Sequence, residues 1–310
     1  MVKYRKALVT GGAGFIGSKL SKKLLERGLD VYVIDNLANS SIEKLPSGVN
    51  FIKGSVLDIK QVRDIVSEGI EIVFHNAAKV TIRGSVEDFY SDGQNNIMGT
   101  LSLLTACSNS KVKKIVYASS MAVYGDSEKP IPINEDYKKT PISPYGISKL
   151  VSEMYIENIC ASLGIKYIIL RYFNTYGPGQ TFTPYVGVIT IFINKLLNGE
   201  PLVVFGDGKQ CRDFIYVDDI VEGNIRAMET DINSGTFNIG SGRGNTINDV
   251  ANVLTARLNG KLDIVYSDSR AEELVNSVAD ISRATNILGY KPSFIFPDNI
   301  EEVIEFIKNS

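Results

Sequence analysis

Apolar residues in the first half of the chain follow two alternating rhythms. Short β-branched runs read as strands: Ala7 to Thr10, Val31 to Ile34, Asn50 to Lys53, Ile72 to His75, Ile115 to Ser119 and Tyr167 to Arg171. Between them lie longer amphipathic stretches. In the first of these Ile16, Leu20 and Leu24 fall four apart, which puts them on one helix face, and Gly28 supplies a stop. This alternation predicts an α/β fold, a parallel sheet with helices on both faces, because each parallel connection needs a crossover. After Asn174 the rhythm breaks. Gly177-Pro178-Gly179-Gln180 and Thr183-Pro184 mark turns, and shorter elements follow, ending in helical patterns at Thr246 to Leu258 and Pro297 to Lys308.

Composition narrows the function. A chain of 310 residues, 44% hydrophobic and 22% charged, has apolar material for one large core or two small ones. Lys plus Arg total 33 against 35 Asp plus Glu, so there is no broad positive field to hold a nucleic-acid backbone. The longest apolar runs, such as Tyr167 to Leu170, stop far short of the roughly 20 residues a membrane helix needs. No apolar export segment precedes Ala7, so a cytoplasmic address is expected. Cys107, Cys160 and Cys211 are odd in number and lack the close spacing of metal or disulfide frameworks, and are read as reduced. With His75 the only histidine, neither a His-based metal centre nor a His-dependent triad is expected.

Directly after the first strand, Gly11, Gly14 and Gly17 recur three apart in Thr10-Gly-Gly-Ala-Gly-Phe-Ile-Gly17. A strand turning tightly into a helix aims unpaired amides and the positive end of the helix dipole at one point, and glycine lets a pyrophosphate approach. Asp35 ends the second strand, 24 residues beyond Gly11, where a carboxylate accepts hydrogen bonds from an adenosine ribose and repels a 2′-phosphate. NAD is therefore favoured over NADP.

Lys149 lies four residues after Tyr145, on the same face of a helix for which Ser143 is a good N-cap and Pro144 a good first residue. With 15 tyrosines and 22 lysines in 310 residues, about one Tyr–Lys pair at this spacing arises by chance, so context must carry it. The context is Tyr117-Ala-Ser-Ser-Met-Ala-Val-Tyr-Gly125, a strand running out into a hydroxyl-bearing turn at the end that borders the ligand crevice of an open α/β sheet.

These pieces, with Arg171-Tyr-Phe-Asn174, Gly206-Asp-Gly208, Arg212-Asp-Phe214 and Arg270 ten before Asp280, appear in order over essentially the whole chain. Together they resemble the extended short-chain dehydrogenase/reductase family, most closely its nucleotide-sugar epimerase branch that acts as UDP-glucose (UDP-galactose) 4-epimerase. The resemblance implies a Rossmann-type doubly wound parallel sheet over 1–174, with returning segments near 214–240, and a smaller C-terminal α/β substrate-binding domain, mainly 175–310. It implies tightly held NAD contacted by Gly11, Gly14, Phe15, Ile16, Asp35, Asn36, Asn39, Ser40, Ser55, Val56, Ala77, Ala78, Asn96, Ser119, Tyr145, Lys149 and Tyr172. Tyr145 would be the general base, Lys149 would lower its pKa and grip the nicotinamide ribose, and Ser120 would bind the sugar 4-hydroxyl. A UDP-sugar would meet Ser120, Tyr145, Asn174, Val188, Phe205, Arg212, Arg270 and Ser277, the small serine leaving room for an N-acetyl group.

Dehydratases of the family carry an Asp-Glu pair after the hydroxyl residue, and the decarboxylases use a nearby Glu. Here Met121 and Ala122 stand there, which favours epimerisation. Gly54-Ser55-Val56 departs from the family's Gly-Asp, with Asp58 a substitute acid, and His75 reads as a satisfied sheet-end residue. Other nucleotide-sugar epimerases, for UDP-glucuronate or a dTDP- or CDP-sugar, would share the catalytic parts; a non-catalytic dinucleotide sensor would tend to lose the Tyr or the Lys. Helices Met98 to Ser108 and Pro144 to Leu163 match the pair through which this family forms homodimers.

Overall fold

The computed structural model describes residues 3–80, 82–125, 131–183, 186–258, 264–269 and 274–309. Its sheet is built from β1 (Lys6–Thr10), β2 (Asp30–Asp35), β3 (Asn50–Lys53), β4 (Ile72–His75), β5 (Lys114–Ser120) and β6 (Lys166–Tyr172). The intervening helices are α1 (Phe15–Glu26), α2 (Ile59–Ser67), α3 (Ile82–Glu87), α4 (Phe89–Gly93), α5 (Gly99–Cys107) and α6 (Pro144–Leu163), with a π turn over Gln94–Met98 leading into α5. There follow β7 (Asn174–Tyr176), α7 (Val188–Leu197), β8 (Leu202–Phe205), β9 (Cys211–Tyr216), α8 (Val217–Glu229), β10 (Ser234–Ile239), β11 (Gly244–Thr246) and α9 (Ile247–Arg257). The chain ends with β12 (Ile264–Ser267), β13 (Asn276–Ser277), α10 (Ser282–Leu288) and α11 (Ile300–Lys308).

Seven parallel strands run in the order β10-β6-β5-β4-β1-β2-β3. This is the doubly wound, Rossmann-type sheet expected from the sequence. Alternate residues of each strand feed opposite cores. Ala7 and Val9 join Leu20 and Leu24 of α1 on one face, while Leu8 joins Val62 of α2 and Leu103 of α5 on the other. Each such fully buried Val or Leu contributes about 1.5–3 kcal/mol, which explains why strands buried on both faces read as nearly unbroken apolar runs. Ile16 is only partly buried against the same cluster, and Gly28 follows the last turn of α1 with a φ of 80°.

Two boundaries shift from expectation. The last helix starts at Ile300, not Pro297, because Asn299 sits in the left-handed region and the Ile300 amide closes a turn onto the Pro297 carbonyl. β10 was not expected as a strand, yet it pairs with β6 from Ser234–Tyr167 to Ile239–Tyr172 and completes the sheet.

A second lobe packs around its own core, where Ile189, Phe192 and Ile193 of α7 meet Phe214 and Tyr216 of β9, Leu254 of α9 and Val303 of α11. β9 is its hub: β11 pairs antiparallel and β13 parallel with its first half, and β7 pairs parallel with its second. β8 and β12 form a separate parallel pair.

Candidate active site

Where the strand order reverses, β1 lies between β2 and β4, and the carboxyl ends of β1 and β4 flank the crevice in which such sheets bind ligands. The glycine turn follows β1. A Cβ at Gly17 would lie 2.2 Å from the Gly11 carbonyl oxygen, so only glycine lets the helix start so close to the turn. No side chain caps α1, whose first amides point at the crevice. Asp35, buried at the end of β2, accepts from the Ala13 amide at 3.0 Å, the Leu37 amide at 2.8 Å and Ser40 Oγ at 2.9 Å. These bonds lock the carboxylate against the turn. Asn36 caps its own loop by accepting from the Ala38 amide, and Asn39 is exposed beside it.

Facing the turn from β4, Asn76, Ala77 and Ala78 are half-buried, and a Cβ on Gly11 would lie 2.8 Å from Ala77 Cα. Neither end of the Asn76 carboxamide, buried at this junction, has a hydrogen-bond partner among the described residues. Sequence reading missed Asn76; a polar residue interrupting the small apolar run after β4 was the available signal. His75 is fully engaged, with Thr10 Oγ1 at 2.8 Å and Thr100 Oγ1 at 3.0 Å on its two nitrogens, and burial holds it down to about 3, so it stays neutral. That is the satisfied sheet-end role expected of it.

The Tyr–Lys helix begins as anticipated. Ser143 Oγ accepts from the Gly146 amide at 3.1 Å, Pro144 opens the first turn, and the Tyr145 amide donates to the buried Ser85 hydroxyl at 3.1 Å. A Cβ at Gly146 would lie 2.2 Å from the Ala122 carbonyl oxygen, so α6 is pressed onto the short turn that follows β5. That contact brings Tyr145 to Ser120. The Ser120 hydroxyl accepts from the Ala122 amide at 3.2 Å and stands near enough to the Tyr145 phenol to favour its ionised form.

Lys149, 2% exposed, donates to the Ala118 carbonyl at 2.8 Å, and its ammonium lies 4.9 Å from the Tyr117 ring centre and 5.9 Å from that of Tyr145. Burial lowers it to about 8, while the Asp92 and Glu153 carboxylates pull upward. Tyr145 moves the other way. Burial pushes the phenol up to about 12, the neighbouring Ser120 hydroxyl opposing and the Asp92 carboxylate adding to the rise. The lowering of Tyr145 expected from Lys149 is not seen here: desolvation dominates, and the ammonium is committed to the Ala118 carbonyl.

Two residues expected at the cofactor have their side chains engaged elsewhere. The Ser119 hydroxyl donates to Glu153 Oε1 at 2.5 Å. Asn96 Oδ1 accepts from the Lys79 amide, while its Nδ2 reaches Asp92, Ser148 and the Lys79 carbonyl, so it braces the segment after β4 against α6. The Tyr172 oxygen accepts from Asn224 at 2.7 Å, Ser55 Oγ accepts from the Leu57 amide, and Asp58 caps α2. Val56 is buried against Gly99.

Of the expected sugar-nucleotide residues, β9 brings three together: Ser277 is in register with Arg212, and Asn174 with Phe214 two residues on. Asn174 Nδ2 donates to the Asp213 carbonyl at 3.2 Å. Ser277 is completely buried, and its hydroxyl has no partner among the described residues. Phe205 ends β8 and Val188 opens α7, both half-buried, Val188 against the second-lobe core. Arg270 lies outside the described residues. Among the described residues no group of three or more His, Cys, Asp or Glu side chains could hold a metal ion, and no helix is long and apolar enough to cross a membrane.

Comparison with known proteins gives this geometry its context. The model of the NAD dependent epimerase/dehydratase family matches residues 7–240. The chain belongs to this family. Among the family's curated members, a putative UDP-glucose 4-epimerase of Methanocaldococcus jannaschii is 36% identical over 98% of each chain. The solved UDP-glucose 4-epimerase of Thermotoga maritima, with UDP-glucose, superposes with a TM-score of 0.94 at 38% identity over 98% of this chain and 99% of that one. A UDP-N-acetylglucosamine 4-epimerase from Methanobrevibacter ruminantium, in complex with UDP-N-acetylmuramic acid, reaches 0.93 at 36% identity over 99% of both.

NAD is the family's cofactor, and the residues present fit it. The glycine cradle, the uncapped α1 amides and the locked Asp35 suit a dinucleotide without a 2′-phosphate, and the orphaned Asn76 amide offers a donor and an acceptor at the same junction.

Proposed function

We propose that this family member epimerises a UDP-hexose at carbon 4, interconverting UDP-glucose and UDP-galactose through a transient 4-keto sugar. The observation that carries the reading is the cluster of Tyr145, Ser120 and Lys149 at the carboxyl end of β5. Beside it stand Met121 and Ala122, buried and without an acid for elimination.

Bound NAD supplies the acceptor and donor of the hydride and, through its positively charged ring, a cation that favours the Tyr145 phenolate. Gly11, Gly14, the α1 amides of Phe15 and Ile16, Asp35 and Asn76 would hold the dinucleotide, and Lys149 its nicotinamide ribose. Ser120 hydrogen-bonds the sugar 4-hydroxyl and orients it toward Tyr145, which takes the proton as the carbon is oxidised. Burial keeps water from competing for that proton. Tyr145 returns the proton once the ketone has turned to offer its other face, so the sugar is inverted without net redox change.

On the second lobe, Asn174 and Arg212 would grip the diphosphate, the planar guanidinium donating paired hydrogen bonds. Phe205 and Val188 would line the base. The small Ser277, with the similarity to a UDP-N-acetylglucosamine 4-epimerase, supports a second reading in which N-acetylated hexoses are also accepted. NMR of the purified protein with UDP-glucose, UDP-N-acetylglucosamine and UDP-glucuronate separates these. The expected outcome is UDP-galactose from UDP-glucose, and no turnover of any UDP-hexose removes the reading.

A homodimer belongs to the same proposal. Phe89 and Tyr90 of α4, Met98, and Ile147 and Met154 of α6 leave large apolar side chains exposed on neighbouring helices. Sedimentation at micromolar concentration should give twice the chain mass; a monomer would contradict it.

A further inference from the structure

Three residues of α6 spaced one turn apart meet three consecutive residues of β5. The Tyr145 phenol faces Ser120, Lys149 Nζ donates to the Ala118 carbonyl at 2.8 Å, and Glu153 Oε1 accepts from Ser119 Oγ at 2.5 Å. The first two contacts belong to the reaction. Glu153 does not, and its remaining contacts run away from the crevice. Arg171 of β6 forks onto it, Nε to Oε1 at 2.9 Å and Nη2 to Oε2 at 2.6 Å. Arg171 Nη1 goes on to the Tyr124 hydroxyl at 2.7 Å and the Glu135 carbonyl at 3.1 Å, and Tyr124 donates to Asn238 Oδ1 of β10 at 2.7 Å.

Every member of this chain is buried. A buried ion pair is a poor source of stability, because desolvation offsets its attraction, so its presence on the catalytic helix asks for another account. Apolar contacts between a helix and a sheet are non-directional and permit small sliding. A forked guanidinium–carboxylate pair fixes direction as well as distance.

We infer that Glu153, held by Arg171, is a positioning residue that sets the register of α6 on β5 and so keeps the Tyr145 phenol at Ser120. This deepens the proposed function and rests on it for the role of Tyr145. The lock spans three adjacent strands, so the helix carrying the proton acceptor is referenced to β5, β6 and β10 together. Among the described residues, without the Ser119 link only the Lys149–Ala118 carbonyl contact would hold the middle of α6 to a strand residue of β5 by a polar bond.

Glu153→Gln would set a buried guanidinium against a neutral amide, so the test uses Ser119→Ala, which leaves the Glu153–Arg171 pair whole. In the full-length NAD-loaded protein, S119A should lower kcat for UDP-glucose by about 10- to 100-fold, the scale of a small misplacement of reacting groups. KM and the NAD dissociation constant should stay within about twofold. Ser119→Thr, which keeps the hydroxyl, should recover most of kcat. A crystal structure of S119A reads the placement whatever the sugar, and should show the Tyr145 phenol displaced from Ser120 relative to the wild type. An unmoved phenol, wild-type kcat in S119A, or an equal loss in the threonine variant would overturn the inference. If the wild type turns over no UDP-hexose, the proposed reaction falls while the crystallographic comparison still decides the positioning role.

Discussion

At Tyr145 burial works in two directions. It excludes water from the phenol but raises its pKa to about 12, so as the proposed base Tyr145 depends on neighbours to reach a useful range. Tyr145→Phe removes only the proton acceptor; turnover should fall by about 10²- to 10⁴-fold with NAD affinity unchanged by equilibrium titration. A matching loss of NAD binding would argue for a structural role instead. His75 makes a pH prediction. Its native pKa, near 3 because burial disfavours the cation, lies below the unfolded value of 6.5. Between those values the unfolded chain holds the extra proton, so the stability this residue contributes is complete above pH 6.5 and is lost as pH falls toward 3. Chemical denaturation of wild type and His75→Asn across that window should show a steeper fall in the wild type; parallel curves would contradict it. Tyr145, Lys149 and Asp35 were legible because spacing and strand ends define them. Asn76 and Glu153 were not, since what marks them is a missing partner in one case and an arginine 18 positions away in the other.

Elements carry the cofactor cradle as much as residues do. α1 can begin beside the turn only because Gly17 has no side chain, with the Gly11 oxygen 2.2 Å from where a Cβ would sit. Gly17→Ala must push the helix start away from the turn. NAD affinity should drop by about tenfold or more, since about 1.4 kcal/mol of misaligned amide contact suffices, and fluorescence titration with NAD would detect it. Unchanged affinity would mean the cradle is not where the pyrophosphate lies. The first six strands could be read from the sequence because, except at the edge strand β3, burial on both faces writes apolar, often β-branched runs into them. β10 could not: its opening Ser-Gly-Thr looks like a loop, and only pairing with β6 makes it a strand. The start of the last helix was misplaced because Pro297 fits a helix N-terminus, whereas here it belongs to the turn before it.

The whole molecule joins a sheet whose switch point is set by topology to a second lobe organised on β9. α8 and β10 return from that lobe to the sheet, so the chain crosses between its parts more than once, and the end of β5 that carries Ser120 and the residues around β9 are joined by one continuous framework. Sequence rhythm showed the change after Asn174, but the hub role of β9 depends on pairings between segments distant in the chain. The proposed inversion at carbon 4 has a direct test. If hydride leaves and returns within one closed site, the hydrogen on that carbon never meets solvent. UDP-glucose deuterated at carbon 4 should therefore yield UDP-galactose retaining deuterium there, followed by NMR. Product carrying solvent hydrogen at carbon 4, or no product at all, would contradict the account.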